Sequence, residues 1–378
     1  MTDRLALLMR EEVDGLSVPP VPSQHILARG RRARRRRTQL RTAVVAAVAV
    51  ACATVYLGVD RADGDRRLDG DIRIADASRA MTAYVSKGAY AVGDELVVGA
   101  NQFDWSEPIK ALHYTSDGVV IQSGDNPDRD EGGSRYALVT PSGEWSDIDV
   151  ELNDQIVGFE TSSTRFAYAE PGADGAFDLV VHDAATDEEV ARTTVELPTT
   201  TIGWRAPPVA IHDDVAWVRG DDGWVQWEWR ADRTSLVPGT TSTYELAGGR
   251  YADWQDRRRW IIREMAGQGE LRELDLRPGW YGFFSPDGRY LRAFPNEQGS
   301  QSSVDYEFFS VATGEAWQVV DVMDTHDRVE HGWTPDGHVL QLIDDTLSLC
   351  DPDTGACDEV ASGLGDGIVR LGGEPYGS

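Results

Sequence analysis

Two stretches of this chain nearly superpose: FFSPDGRYLRAF at residues 283–294 and GWTPDGHVLQLI at residues 332–343. In each, an aromatic residue and a Ser or Thr precede a Pro-Asp-Gly turn, and strand-forming residues follow it. This pattern is typical of a β-hairpin. A third stretch, HYTSDGVVIQSG at residues 113–124, has the same plan. Weaker copies keep the turn but not its full sequence, at residues 159–170, 210–221 and 245–256. A hairpin repeated along a chain predicts a repeat architecture.

A second kind of turn follows several of these hairpins. Its copies are TPSGEW at 140–145, HDAATDEEV at 182–190, SVATGEAW at 310–317 and CDPDTGACDEV at 350–360. One unit is therefore a strand, an Asp-Gly hairpin, two more strands and a Thr-Gly hairpin. No convincing run of helical period longer than three turns follows residue 89, so the fold class predicted for this region is all-β.

This unit resembles the blade of a WD40-like or TolB-like β-propeller, in which SPDGR joins the inner strands and D-x-x-T-G joins the outer ones. The resemblance covers most of residues 85–372, and it implies a ring of four-stranded blades. The Gly-His and Trp-Asp pairs of a true WD40 unit are absent. Six units are visible, with turns at residues 118, 164, 214, 249, 288 and 337, and their spacing is near the roughly forty residues of such blades.

A seventh unit is divided between the two ends of the region. The hairpin at residues 89–100 has no complete blade of its own, and the strand pattern DGIVRLGG at 366–373 is available to complete it. Closing a ring with strands from both ends protects the edges of the sheets. The sequence therefore predicts a propeller of seven four-stranded blades, with six as the alternative.

The N-terminal part of the chain differs sharply in charge from the rest. Residues 1–42 carry ten arginines against four acidic residues, a net charge of +6, whereas the chain from residue 60 onward has a net charge of −34. Between them, residues 43–59 are seventeen residues without a charge, near the lower limit for a helix that crosses a bilayer. The positive-inside rule then places residues 1–42 in the cytoplasm and the large domain outside.

A block of arginines before an apolar run has three interpretations: a nucleic-acid site, a signal peptide and a membrane anchor. A polyanionic domain repels phosphate backbones, which disfavours nucleic acid. Some forty residues precede the apolar run, which favours an uncleaved anchor over a signal peptide. AVAC at residues 49–52 is similar to a lipoprotein box, but the apolar run continues to residue 59. The arginines predicted to orient the anchor and meet lipid headgroups are Arg31, Arg32, Arg34, Arg35, Arg36, Arg37 and Arg41.

Four segments follow from these patterns. They are a basic cytoplasmic head with a short helix (1–42), a transmembrane helix (43–59), an acidic stalk or linker (60–84), whose polar residues 60–71 are expected to be flexible, and the extracytoplasmic propeller (85–378). The head is similar to those of membrane-anchored propeller proteins of actinobacteria and, more loosely, to transmembrane anti-sigma regulators. It lacks the His-x3-Cys-x2-Cys zinc motif of many anti-sigma domains.

The cysteines Cys350 and Cys357 flank the turn of CDPDTGAC, at a separation that permits a disulfide. A cysteine pair in a domain otherwise free of cysteine suits an oxidising compartment. We expect a disulfide that stabilises the turn and has no redox role. A reduced, coincidental pair is the alternative.

The sequence contains no complete motif for catalysis or metal binding among those considered. SVATGEAW has Ala312 where a sialidase Asp-box has aspartate, and the chain contains no Gly-x-Ser-x-Gly elbow. The histidines His326, His331 and His338 would bind a metal only if they converged; solvated or turn-bonded histidines are the other interpretation. Trp224, Trp227 and Trp229 would form a ligand platform for a sugar or peptide, or would fill the space between twisted blades.

The sequence thus predicts a membrane-anchored, non-catalytic propeller without a cofactor or metal, serving as a ligand-binding or scaffold module. Its partners would be the cell membrane and an extracytoplasmic protein, small molecule or saccharide bound by loops over the central mouth. A carbohydrate-active or other hydrolytic propeller is the first alternative, which carboxylates and arginines meeting at the mouth would favour. The second is a transmembrane regulator whose residues 1–42 bind a cytoplasmic partner such as a sigma factor.

Overall fold

The computed structural model describes residues 66–67, 74–126, 133–152, 157–197, 206–221, 223–238, 246–254, 259–264, 270–275, 280–295, 306–319, 329–365 and 367–373. The predicted head, the predicted membrane helix and the arginines assigned to the lipid surface lie outside these residues. Among the residues described, no helix combines the length and the apolar character needed to cross a bilayer.

Within the described part of the chain, the strands form seven antiparallel sheets. Six of these sheets have four strands each, and the remaining sheet has a fifth strand at its edge. We call the sheets blades 1 to 7 and their strands A to D from the axis outward. The A strands are β29 (Val369–Leu371), β5 (Ile109–Tyr114), β9 (Gly158–Phe159), β13 (Val209–His212), β17 (Leu246–Ala247), β21 (Trp280–Phe284) and β25 (Val329–Trp333). Several A strands contact A strands of the neighbouring blades, which places them around the axis.

The other strands follow in the same blade order. The B strands are β2 (Ala89–Val92), β6 (Val119–Ser123), β10 (Arg165–Pro171), β14 (Val215–Gly220), β18 (Arg250–Trp254), β22 (Tyr290–Pro295) and β26 (Val339–Ile343). The C strands are β3 (Glu95–Val98), β7 (Arg135–Val139), β11 (Phe177–Asp183), β15 (Gly223–Glu228), β19 (Arg259–Glu264), β23 (Tyr306–Ser310) and β27 (Thr346–Cys350). The D strands are β4 (Asn101–Asp104), β8 (Glu144–Ile148), β12 (Glu188–Val195), β16 (Arg233–Pro238), β20 (Glu270–Asp275), β24 (Ala316–Val319) and β28 (Cys357–Ala361).

Blade 1 closes the ring with strands from both ends of the domain. β29 pairs antiparallel with β2, with Leu371 opposite Tyr90 and Val369 opposite Val92. The seven-blade prediction is therefore confirmed, and the six-blade alternative is wrong because the C-terminal strand supplies the missing inner strand of blade 1.

The core is divided among the interfaces between blades. Among the described residues, each of seven buried hydrophobic clusters joins two neighbouring blades, from 1/2 around to 7/1. Representative pairs in that order are Leu96 and Leu112, Leu138 and Phe166, Leu179 and Val218, Trp217 and Tyr251, Ile262 and Leu291, Phe308 and Trp333, and Leu342 and Val369. Because burying apolar surface is the dominant favourable term in folding, stability is shared around the ring.

Part of the segment predicted as an acidic stalk or linker, residues 60–84, forms regular structure. Helix α1 (Ile74–Lys87) crosses the predicted boundary at residue 84, and β1 (Arg66–Arg67) pairs with β8 as a fifth strand of blade 2. The helix is held by Ala80 and Tyr84, which are four positions apart and therefore share one face. The Tyr84 hydroxyl lies 2.5 Å from the Gly118 carbonyl oxygen, which docks the helix on blade 2. The sequence did not predict this helix, because a few docked residues, rather than a long apolar face, hold it in place.

The cysteine pair occupies the position that the repeat predicts. Cys350 ends β27 and Cys357 begins β28, so the pair faces across the outer hairpin of blade 7. The two residues form a disulfide with a Cα–Cα distance of 4.1 Å. Cys350 is buried and Cys357 is exposed, so the bond anchors a surface turn to the blade.

Candidate functional site

The two ends of the ring are built from different connections. Because the strands alternate in direction, the A–B and C–D turns lie at one end, which we call the turn face. The described B–C turns and D-to-A connections lie at the other end, which we call the mouth face. The turns that the sequence repeat shares lie on the turn face, because SPDG and TPDG connect A strands to B strands.

The polar residues of these turns stabilise the turns themselves. In blade 6, the Ser285 hydroxyl donates to Asp287 Oδ1 at 2.6 Å and accepts from the Tyr290 backbone N–H at 3.0 Å. In blade 7, Thr334 repeats the arrangement with Asp336 at 2.6 Å. The Ser/Thr and Asp side chains therefore fix local conformation, as such residues commonly do in turns.

Contacts between blades that are not neighbours draw the turn face together. The Tyr114 hydroxyl of blade 2 donates to the Trp333 carbonyl oxygen of blade 7 at 2.7 Å, spanning blade 1 between them. On the other side, Thr161 Oγ1 of blade 3 lies 3.5 Å from the carbonyl oxygen of Pro286 in blade 6. Gly373 has φ of +71°, and a Cβ there would lie 3.0 Å from atoms of Tyr114, Pro286 and Trp333. This end of the axis is consequently narrow.

A cluster of possible metal ligands lies on the same face. Ligand atoms of Glu160, His212 and Asp213 all lie within 4.8 Å of one another. The buried Glu160 carboxylate already accepts hydrogen bonds from Ser162 Oγ at 2.9 Å and from the Asp213 backbone N–H at 2.6 Å, and from Ser163 Oγ. These bonds fasten the A–B turn of blade 3 to that of blade 4, so the carboxylate has a sufficient structural role.

The tryptophans proposed as a platform are part of the core. Trp224, Trp227 and Trp229 are 3%, 1% and 8% exposed, so none offers a ring face for stacking a ligand. Trp227 and Trp229 belong to the cluster between blades 3 and 4, and Trp224 belongs to the cluster between blades 4 and 5. The prediction of a ligand platform is therefore wrong. The bulky rings instead fill the space between twisted blades, which was the other interpretation.

The histidines serve separate local roles where they are described. His331 is 1% exposed, packs against Tyr306 with ring centroids 4.3 Å apart, and lies 3.2 Å from the Gln341 amide nitrogen. Burial lowers the pKa of His331 well below its usual range, because the charged imidazolium would lose its hydration. His338 Nδ1 instead lies 2.9 Å from Asp336 Oδ1 in the turn. His326 lies outside the described residues.

The mouth face has a recess of about 400 Å³ beside the axis. Three segments meet there: the B–C turn of blade 1 (Gly93 and Asp94), the connection from blade 1 to blade 2 with the first residue of β5 (residues 106–109), and Ile368, which immediately precedes β29. Backbone hydrogen bonds hold the segments in place, from Gly93 N–H to the Ile368 carbonyl at 3.0 Å and from Trp105 N–H to the Asp94 carbonyl at 2.7 Å. The closing strand thus forms one side of the recess.

The recess combines acidic and apolar groups. The Glu107 carboxylate accepts a hydrogen bond from the Ser123 hydroxyl at 3.3 Å and pairs with the Arg135 guanidinium. Asp94 is exposed at the rim. Ile368 is 44% exposed, one of the few large apolar side chains at the surface of the described chain, whereas Ile109 is 3% exposed and forms the base. An anionic group beside an apolar wall suits a ligand that carries both a positive charge and a hydrocarbon part.

Sequence reasoning missed Asp94, Glu107 and Ile368. From the sequence we expected loops at the mouth to bind the ligand, but the sequence did not identify the residues. A local signal is present in WSEPIK, residues 105–110, where a proline and a carboxylate precede an inner strand. Nothing in the sequence places this segment beside Ile368, which comes from the opposite end of the domain.

Searches against protein-family models and against curated proteins give no match. Among solved structures, apo AztD from Citrobacter koseri is 12% identical, with 76% of this chain and 98% of that chain covered and a TM-score of 0.45. The β-propeller domain of Cps50 (Swd1) from Myceliophteria thermophila is 9% identical, with 72% and 89% covered and a TM-score of 0.44. TolB from Acinetobacter baumannii is 11% identical, with 75% and 64% covered and a TM-score of 0.39. The assignment as a propeller rests on the seven sheets of the described chain, and its function rests on its own residues.

Proposed function

We propose that this chain is a single-pass membrane protein whose extracytoplasmic propeller binds a ligand or partner protein, without catalysis, through its mouth face. The observation that carries the proposal is the difference between the two ends of the ring. Contacts between non-neighbouring blades tie the turn face together, whereas the mouth face holds a recess with an exposed apolar wall and a carboxylate. Clefts with a few polar groups and an apolar lining are the usual form of binding sites.

The orientation in the membrane is supported by the contrast in charge. Residues 1–42 have a net charge of +6, the chain after residue 60 has a net charge of −34, and the uncharged residues 43–59 separate the two. The disulfide between Cys350 and Cys357 fits an oxidising compartment outside the cytoplasm. A reporter fused after Ser378 should be active outside the cytoplasm, and the same reporter fused before Met1 should be active only inside it. The reverse pattern would overturn the orientation.

Site-specific photocrosslinking tests the binding face. The full-length protein would carry p-benzoylphenylalanine at Ile368 on the mouth face or, as matched controls, at Val190 or Leu236. Those controls are 43% and 56% exposed and lie on the outer strands β12 and β16. After irradiation of intact cells, we expect a discrete adduct, identified by mass spectrometry, from position 368 alone. Absence of an adduct at 368, or equal adducts at all three positions, would refute the mouth as the binding face.

A further inference from the structure

We infer that the recess on the mouth face binds a small organic cation, namely a guanidinium group carried on a short apolar chain. The inference rests on the proposed function, since it names the class of ligand for the same face. It depends on three features of the recess: the carboxylate of Glu107, the exposure of its internal partner Arg135, and the apolar wall formed by Pro108 and Ile368.

Glu107 has acceptor capacity beyond its present bonds. An ionised carboxylate offers about four lone-pair positions, and guanidinium is the group whose planar array of donors matches it best. The described bonds of this side chain are those from Ser123 and Arg135. Since the Glu107 side chain is 24% exposed, a cation arriving from the mouth can reach it.

The pairing with Arg135 shows that the Glu107 carboxylate binds a guanidinium group. The Arg135 guanidinium already pairs with Glu107 Oε1, yet 74% of the Arg135 side chain is exposed to solvent. An ion pair so exposed contributes little to stability, commonly about 0 to 1 kcal/mol. A ligand can therefore displace Arg135, or bind beside it, without disrupting the blade.

The neighbouring wall selects for an apolar part of the ligand. Ile368 is 44% exposed, and Pro108 and Ile109 continue the same lining. A recess of about 400 Å³ is within the usual size of small-molecule sites. Two arguments disfavour a saccharide: no aromatic ring is among the described lining residues, and Trp224, Trp227 and Trp229 are buried elsewhere.

The test compares two probes of nearly the same shape. N-butylguanidinium carries the positive charge, and N-butylurea is its neutral counterpart. Binding to the full-length protein in detergent micelles or nanodiscs is followed by NMR of isoleucine methyl groups, with the Ile368 signal as the local reporter. We expect saturable shifts of the Ile368 methyl with butylguanidinium and none with butylurea at the same concentration. Affinity should fall as salt is added, because the exposed charges are screened.

Two substitutions should act in opposite directions. Glu107→Gln should weaken binding roughly tenfold or more, the factor expected for the loss of a charge-assisted hydrogen bond. Arg135→Gln removes the internal competitor and should strengthen binding. Glu315→Gln, which changes an exposed carboxylate on the C–D turn of blade 6, serves as the matched control and should leave the affinity unchanged. A purely structural role for the pair would move both variants in the same direction.

The inference is overturned if butylurea binds as well as butylguanidinium, or if neither Glu107→Gln nor Arg135→Gln changes the affinity for the cation. The crosslinking experiment separates this failure from that of the proposed function. If position 368 gives an adduct but the recess shows no preference for the cation, the cationic ligand is refuted and the mouth remains the binding face. If neither the adduct at position 368 nor the preference for butylguanidinium is observed, the mouth is refuted as the binding face as well.

Discussion

The hydroxyl of Tyr114 donates a hydrogen bond of 2.7 Å to the carbonyl oxygen of Trp333, and it accepts one of 2.9 Å from the backbone N–H of Ala89. These residues belong to blades 2, 7 and 1, so one buried phenol joins three blades where the chain closes its ring. Burial also raises the pKa of Tyr114 above its ordinary value, because the phenolate would lose its hydration.

Tyr114→Phe should lower the free energy of unfolding by about 1–3 kcal/mol, because two buried backbone groups lose their partner. Denaturant titration followed by tryptophan fluorescence measures the change. Tyr90→Phe is the control: Tyr90 is a half-buried tyrosine in the adjacent strand β2 for which no hydroxyl hydrogen bond is found among the described residues. Equal stability of the two variants would show that the bridge contributes nothing.

Removal of the closing strand should abolish the cooperative fold. A chain truncated after Gly367 lacks β29, which leaves an edge of β2 unpaired and exposes Leu340, Leu342 and Leu347 of blade 7. We expect no cooperative unfolding transition and increased aggregation, since unpaired edges are prone to associate. A truncation after Gly373 keeps β29 and is the matched control. Cooperative unfolding of the shorter chain would contradict the role of this strand.

The stability should fall as the solution becomes more acidic than the ordinary pKa of histidine, in part because of His331. Its pKa in the fold lies well below the value near 6.5 of an unfolded chain, so the unfolded state binds the proton more readily. Below pH ~6.5, each pH unit should cost up to about 1.4 kcal/mol from this residue. His331→Gln should reduce that slope between pH 7.5 and 5, measured as unfolding free energies relative to the wild type. Parallel slopes for the two proteins would contradict it.

Reduction of the disulfide should destabilise the domain by about 2–3 kcal/mol, because the bond restricts the unfolded chain over a short loop. Unfolding of the wild type with and without reductant measures this directly. A Cys350→Ala/Cys357→Ala double variant should be insensitive to reductant. Alkylation of the non-reduced protein, followed by mass spectrometry, should leave Cys350 and Cys357 unlabelled. Labelling of both would remove the support for an oxidising compartment.

Trp227→Ala should cost about 3–5 kcal/mol of stability, as expected when a large buried ring is removed. A ligand platform would give the opposite outcome, with stability preserved and binding lost. Thermal unfolding and the crosslink from position 368 measure the two properties separately. Leu236→Ala, at an exposed position on β16, should change neither.

The candidate site was less predictable than the fold. The Asp-Gly hairpins were recognisable because Ser285, Asp287 and their equivalents make bonds within a few residues of each other. The disulfide was predictable for the same reason, since Cys350 and Cys357 flank one turn. Ile368 and Glu107 come from distant parts of the chain, so no local pattern relates them. Helix α1 was missed because two buried side chains dock it rather than a long periodic face.

The sequence by itself determined the repeating hairpin, the all-β class and the C-terminal strand that completes the first blade, because turn chemistry and strand alternation act between near neighbours. Only the tertiary structure decided which tryptophans are buried, which end of the axis is narrow and where a recess opens beside Glu107. These properties arise when seven interfaces bring distant segments together, and the burial of a side chain depends on the blade that packs against it.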